Sequence, residues 1–181
     1  MMDRKGHRRR AFTLVELLIV ITIIGILAAV AIPQFSESSA DAKIAALDHN
    51  LASLRSSIEV YQFQHTSAYP GVVKTHKTTA AGSAAAHASA AEAFVKQLTA
   101  YSDTMGNTCD EKNAGFPYGP YIKPTIPDNP LPAAGAAGDP DSVNVTTDTT
   151  PLSADGSPTT GWKFSSETGE IIANSADHES R

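Results

Sequence analysis

The chain of 181 residues has one cysteine, Cys109, and one tryptophan, and its Lys and Arg residues are clustered only at the start. A single thiol cannot close an internal disulfide, so an exported domain built from this chain must hold together by packing. Cys109 is read as a small half-buried side chain, with pairing to a second chain as the alternative. The six histidines, His7, His49, His65, His76, His87 and His178, are dispersed without metal-ligand spacing. There is no Gly-rich phosphate loop, no nucleophile elbow and no His-Glu-x-x-His. The chain is read as non-enzymatic. The net charge is −5, but Arg4, Lys5, Arg8, Arg9 and Arg10 against Asp3 make the first eleven residues +4 and leave −9 for the rest. An acidic surface of that kind lacks the clustered Lys and Arg that a nucleic-acid partner needs.

What is present is a junction. The basic segment 1–11 runs into Phe12-Thr13-Leu14-Val15-Glu16 and then an apolar run up to Pro33. Residues 12–32 are about as long as a bilayer-crossing helix must be. Basic residues beside such a helix stay on the cytoplasmic side, which directs the remainder of the chain out of the cytoplasm. Glu16 is the single charge in the run, and an ionisable residue kept in an apolar helix is a functional candidate. Three readings fit. A secretory signal peptide would use Ala28-Ala29-Val30-Ala31 as a small-x-small cleavage site, but no break separates the run from the helical segment that follows. A plain anchor accounts for the length and the basic flank but not for Glu16. Otherwise the segment resembles the N-terminus of the type IV pilin and type II secretion pseudopilin superfamily, in which a basic leader and a small residue precede Phe, Thr-Leu-x-Glu and an apolar helix.

The resemblance implies specific chemistry. A prepilin peptidase cuts between Ala11 and Phe12, with Ala11 where most members have Gly. The new amine of Phe12 is N-methylated, and Glu16 of one subunit meets that amine in a neighbour, setting the axial stagger. The alternative for Glu16 is that it reaches the headgroups from the helix entry. Gly25 and Pro33 are the expected limits of a stretch that melts on assembly. The implied partners are the prepilin peptidase, further pilin or pseudopilin subunits, membrane lipid, an inner-membrane assembly platform and a cytoplasmic ATPase. The implied location is the inner membrane, crossed once, with the C-terminal part periplasmic.

Beyond Pro33 the pattern turns amphipathic. Ala40, Ile44, Leu47, Leu51, Leu54, Ile58 and Tyr61 follow alternating steps of four and three, a heptad seam. One helix is expected from about residue 12 to about residue 65, closed by the turn at Tyr69-Pro70-Gly71. Four regions follow: a leader (1–11), a transmembrane and filament-core helix (12–33), an amphipathic stalk helix (34–68) and an extracytoplasmic globular part (69–181). The predicted fold is α+β, a long N-terminal membrane-spanning helix that continues as a stalk packed on a small antiparallel sheet with long loops.

In the globular part, residues 72–91 read as a loop or weak helix start. Ser89-Ala90-Ala91-Glu92 fits a capping box for a helix over 90–101, and 103–114 reads as a polar loop. Gly119-Pro120-Tyr121-Ile122-Lys123-Pro124 resembles the major pseudopilin pattern, and the four prolines from Pro120 to Pro130 exclude a central strand. Residues 133–158 read as a long acidic surface loop with a short strand at 142–146. Some pseudopilins bind calcium with loop carboxylates, and Asp128, Asp139 and Asp141 are the candidates here, beside the plainer reading of a solvated loop. Residues 161–164 and 170–173 flank Ser-Ser-Glu-Thr-Gly as a β-hairpin, with Trp162 and Phe164 on one face. Two functions remain: a structural subunit of a type II secretion pseudopilus or type IV pilus-like filament, and a low-abundance filament-tip or membrane-anchored recognition module.

Overall fold

A computed structural model describes residues 12–131, 138–149 and 151–181. The leader with Ala11, residues 132–137 of the acidic loop and Thr150 lie outside the described residues. The chain divides into two compact units, Met1–Ala42 and Lys43–Arg181. Helix α1 is Leu14–Gln64 and its backbone is helical through Gly25 and position 33. The second unit is α+β. It adds to the later part of α1 the strands β1 (Thr75–Lys77) and β2 (Ala85–Ala86), helix α2 (Ala90–Thr99), and strands β3 (Tyr101–Ser102), β4 (Thr108–Cys109), β5 (Asp139–Thr146), β6 (Thr160–Ser165) and β7 (Ile171–Ala173).

The heptad seam sets the core. Leu47, Leu51, Leu54, Ile58 and Tyr61 are all buried, whereas Ala40 is exposed and Ile44 half-buried. Against the seam pack Phe94 and Leu98 of α2, Val143 of β5, Trp162 and Phe164 of β6, and Ile171 and Ala173 of β7. The two β6 aromatics are two residues apart and share a face, as strand geometry requires. Phe164 meets Phe94 with ring centroids 4.7 Å apart. Helix α2 starts as its sequence predicts: the Ser89 hydroxyl accepts from the Glu92 N–H at 3.1 Å, and the Glu92 carboxylate reaches back to the Ala88 N–H.

The expected single antiparallel sheet is corrected to two mixed ones. One has the order β2-β1-β4-β3, with β1 and β4 parallel; the other is β5-β6-β7, with β5 parallel to β6 and β6 antiparallel to β7. The acidic segment explains the second. Strand β5 is longer than the predicted one, and the connection from it crosses the far face of β6 before returning. There the Lys163 ammonium donates to Asp155 Oδ1 at 2.8 Å and to the Ser153 carbonyl at 3.0 Å. Asp155 Oδ2 accepts from the amides of Asn144 and Asn174. A crossing connection makes a parallel pair where a tight hairpin would make an antiparallel one. The first sheet replaces the loops expected at 72–91 and 103–114. Its strands have two or three residues each, too few to show alternation in sequence.

Helix α1 ends before the predicted turn. Thr66 and Ser67 both have positive φ, 54° and 62°. The Ser67 N–H donates to the Gln62 carbonyl at 3.1 Å and the Ala68 N–H to the His65 carbonyl at 3.0 Å, which satisfies the last turn. No glycine or asparagine signals this stop. The proline-rich segment is strand-free across 119–131, as predicted. Its Ile122 and Ile126 are buried, and the Pro127 carbonyl accepts from the Trp162 indole N–H at 2.8 Å.

The hairpin turn depends on Gly169. Its φ is +76°, and a Cβ added there would stand 2.2 Å from Cε1 of Tyr69. Gly169→Ala therefore incurs both the left-handed penalty and a displaced Tyr69, and is expected to lower stability by about 2 kcal/mol or more. A thermal melt unchanged by this substitution would contradict the described turn.

Two buried histidines make the second unit acid-sensitive. His65 Nδ1–H donates to the Tyr61 carbonyl at 2.8 Å, and its Nε2 accepts from the Ser102 hydroxyl at 3.0 Å. His87 Nδ1 accepts from the Lys74 N–H at 3.2 Å, and its Nε2–H donates to Thr108 Oγ1 at 3.0 Å. Burial holds both below the usual imidazole range, against Asp103 beside His65 and Glu92 beside His87, with His76 and Lys96 adding to the lowering at His87. The folded protein thus holds fewer protons than the unfolded chain just below pH 6.5. Their contribution is complete above that pH and is lost as pH falls through it toward the lowered folded values. The melting temperature is expected to drop between pH 7.5 and 5.5, and the His65→Asn, His87→Asn double variant to show a flatter slope. Equal slopes would remove the two rings from the account.

Candidate functional site

The first turn of α1 is built by its own side chains. The Glu16 carboxylate Oε2 accepts from the Thr13 N–H at 3.1 Å and from the Thr13 hydroxyl at 3.0 Å, while Thr13 Oγ1 accepts from the Glu16 N–H at 3.2 Å. This is a reciprocal capping box, two orphan donors of the helix start satisfied by one Thr-x-x-Glu motif. The signal is legible in Thr13-Leu14-Val15-Glu16, and a reading of Glu16 as a lone charge misses it. Phe12 lies just ahead of the box and is 85% exposed.

Downstream, the described large apolar side chains of the first unit are exposed. Leu14, Val15, Leu17, Leu18, Ile19 and Val20 are exposed, and the series continues to Ile32. These residues point in all directions around the helix, which is the pattern of a helix surrounded by lipid or by other helices. An exposed apolar surface this extensive marks an interaction site. The Thr22 hydroxyl is satisfied internally by the carbonyls of Leu18 and Ile19, at 3.0 and 2.8 Å, as a hydroxyl in an apolar medium requires. Nothing lies within 4 Å of a Cβ added at Gly25, so no contact within the chain calls for glycine there. Among the described residues no helix is long and apolar enough to cross a membrane.

The carboxylates proposed for calcium lie in the other unit. Asp141 is pushed above the usual carboxylate range, first by burial and then by Asp139 and Asp128. The Asp128 carbonyl accepts from the Asn50 amide at 3.0 Å, which fixes this loop to α1. Among the described residues no group of three or more His, Cys, Asp or Glu is placed to hold a metal ion.

Comparison with known proteins bears on about a third of the chain. Residues 6–32 match the family model described as the prokaryotic N-terminal methylation motif. The fimbrial protein EcpB of Eikenella corrodens is 43% identical over 53 residues, 29% of this chain and 33% of that protein. The type IV major pilin protein PilA of Myxococcus xanthus is 49% identical over 53 residues, 29% of this chain and 24% of that protein. The type IV narrow pilus major component PilA5 of Thermus thermophilus is 44% identical over 57 residues, 32% of this chain and 49% of that protein. The match thus spans between a quarter and a half of the length of these relatives. No solved structure matches the chain. The methylation motif, the Thr13–Glu16 start and the apolar helix behind it agree with one another, and over this segment the chain is similar to type IV pilins.

Proposed function

We propose that this protein is a structural subunit of a type IV pilus-like or type II secretion pseudopilus filament. The observation that carries the reading is the exposed apolar first part of α1, opened by Phe12 and the Thr13–Glu16 box. Before assembly the helix is stored in the inner membrane, with residues 12–32 crossing once, the basic leader inside and the second unit in the periplasm. A prepilin peptidase removes residues 1–11 after Ala11, and the Phe12 amine is methylated. Extraction needs work, supplied by a cytoplasmic ATPase acting through a membrane platform. In the filament, packing against other helices of the same kind replaces lipid, and Glu16 compensates the Phe12 amine of a neighbour.

This reading makes Glu16 a residue with two successive partners. In the single subunit its carboxylate caps its own helix. In the filament it turns to an incoming positive charge, and Thr13 then needs another acceptor. The exchange couples subunit docking to a local change at the helix start.

Within the class, the Gly119–Pro124 stretch favours a secretion pseudopilus. It is a latch in this fold: the Tyr121 hydroxyl donates to Gln64 Oε1 at 2.7 Å, and the N–H groups of Tyr121 and Ile122 both donate to the Leu98 carbonyl. Deleting the gene in its host tests the proposal. Loss of protein export supports the pseudopilus, and loss of surface fibres with export intact supports a pilus. Wild-type export together with wild-type fibres would contradict a major structural subunit of either kind.

A further inference from the structure

One hydroxyl in the core of the second unit is poised to bind something from outside the chain. Tyr61 is 2% exposed, yet no protein group hydrogen-bonds its hydroxyl among the described residues. The hydroxyl is not sealed in: among the described residues no fully enclosed side-chain polar atom lacks a partner, and Tyr61 lines a cavity of about 300 Å³. That volume is at the lower end for small-molecule sites. Gly106 leaves the hydroxyl uncovered, because a Cβ there would stand 2.7 Å from it.

The walls fix the chemistry of the ligand. The Tyr61 and His65 rings are stacked at 3.8 Å with an interplanar angle of 9°. Both His65 nitrogens are already engaged, so the ring offers the cavity only apolar surface. Tyr69, Val72 and Met105 extend that surface. Gln97 also lines the cavity, but its Oε1 accepts from the Gly71 N–H and its Nε2 donates to the carbonyls of Val72 and Gly106. The carboxylate of Asp103, close by, is occupied by the N–H groups of Met105 and Asn107 and by the Asn107 amide. Lys74 is the charged side chain of the lining, and beside it the hydroxyls of Tyr61, Tyr69 and Thr104 have no protein hydrogen bond among the described residues, so each is free to donate to an acceptor. Burial pushes the Tyr61 pKa upward, so its hydroxyl keeps its proton at neutral pH. The complementary ligand has an apolar, flat body and an anionic acceptor.

We propose that this cavity binds a small aromatic carboxylate, its ring against Tyr69, Met105 and the Tyr61–His65 stack and its carboxylate between the Tyr61 hydroxyl and Lys74. The site lies in the second unit, and the proposal stands independently of filament assembly. The test is a saturation-transfer NMR titration of benzoate against the full chain in detergent micelles at pH 7, with empty micelles as the blank. Saturable binding is expected. Tyr61→Phe and Lys74→Met should each weaken it about tenfold, the scale of a lost charge-assisted hydrogen bond. Benzyl alcohol should bind at least about tenfold more weakly than benzoate, and Lys123→Met, outside the cavity, should change nothing. If Tyr61→Phe fails to fold, Lys74→Met alone decides. Absence of saturation at about 10 mM benzoate, or equal affinity in wild type and the cavity variants, would overturn the proposal.

Discussion

Glu16→Gln is expected to yield a subunit that is processed and held in the membrane but enters filaments more than about tenfold less than wild type. The choice of glutamine separates two roles that alanine would remove together. A carboxamide oxygen can still accept from the Thr13 N–H and hydroxyl, so the helix start is kept. What is lost is the negative charge. In the filament core, where the dielectric is low, an uncompensated Phe12 amine is costly, and nothing else in residues 12–32 carries a charge to offset it. Glu16→Ala should be at least as defective, with a frayed first turn in addition. The measurement is an immunoblot of sheared filaments against the membrane fraction. Normal filaments from Glu16→Gln would show that the residue serves only as a cap.

The largest stability effect is expected at Trp162. The indole is fully buried on β6, donates from its Nε1 to the Pro127 carbonyl and belongs to the cluster built on the α1 seam. It thereby joins the proline-rich segment, the second sheet and the stalk. Trp162→Ala should cost about 3–5 kcal/mol, a large share of the 5–15 kcal/mol that holds a typical domain. Trp162→Phe, which keeps most of the apolar volume and loses the hydrogen bond, should cost about 1–2 kcal/mol. Circular dichroism is the suitable readout, because both substitutions remove the chain's single tryptophan. Equal melts for wild type and Trp162→Ala would mean that this ring does not organise the core.

The features legible in the sequence are those whose signal is local and periodic. The seam from Leu47 to Tyr61 repeats often enough to name the buried face of α1. Ser89 and Glu92 state a cap within four residues, and the β6–β7 hairpin is announced by its alternation and by Gly169. Other features depend on partners far away in the chain. Strands as short as β2 and β4 exist because a neighbour completes them. The parallel β5–β6 pair follows from where Lys163 and Asp155 meet. The stop falls on Thr66 and Ser67, which take positive φ although they carry no turn signature of their own. The candidate site divides the same way. Phe12 and Glu16 stand out as a motif, whereas the open Tyr61 hydroxyl, placed on the core seam like any buried tyrosine, emerges only once Gly106 and Lys74 are brought beside it.

The most direct test of the assembly account is the mature N-terminus, read by intact mass and N-terminal sequencing of protein taken from host membranes. The account predicts a chain that begins at N-methylated Phe12. A chain that begins after Ala31, or that retains Met1, would contradict it and would leave a secreted or simply anchored domain in its place.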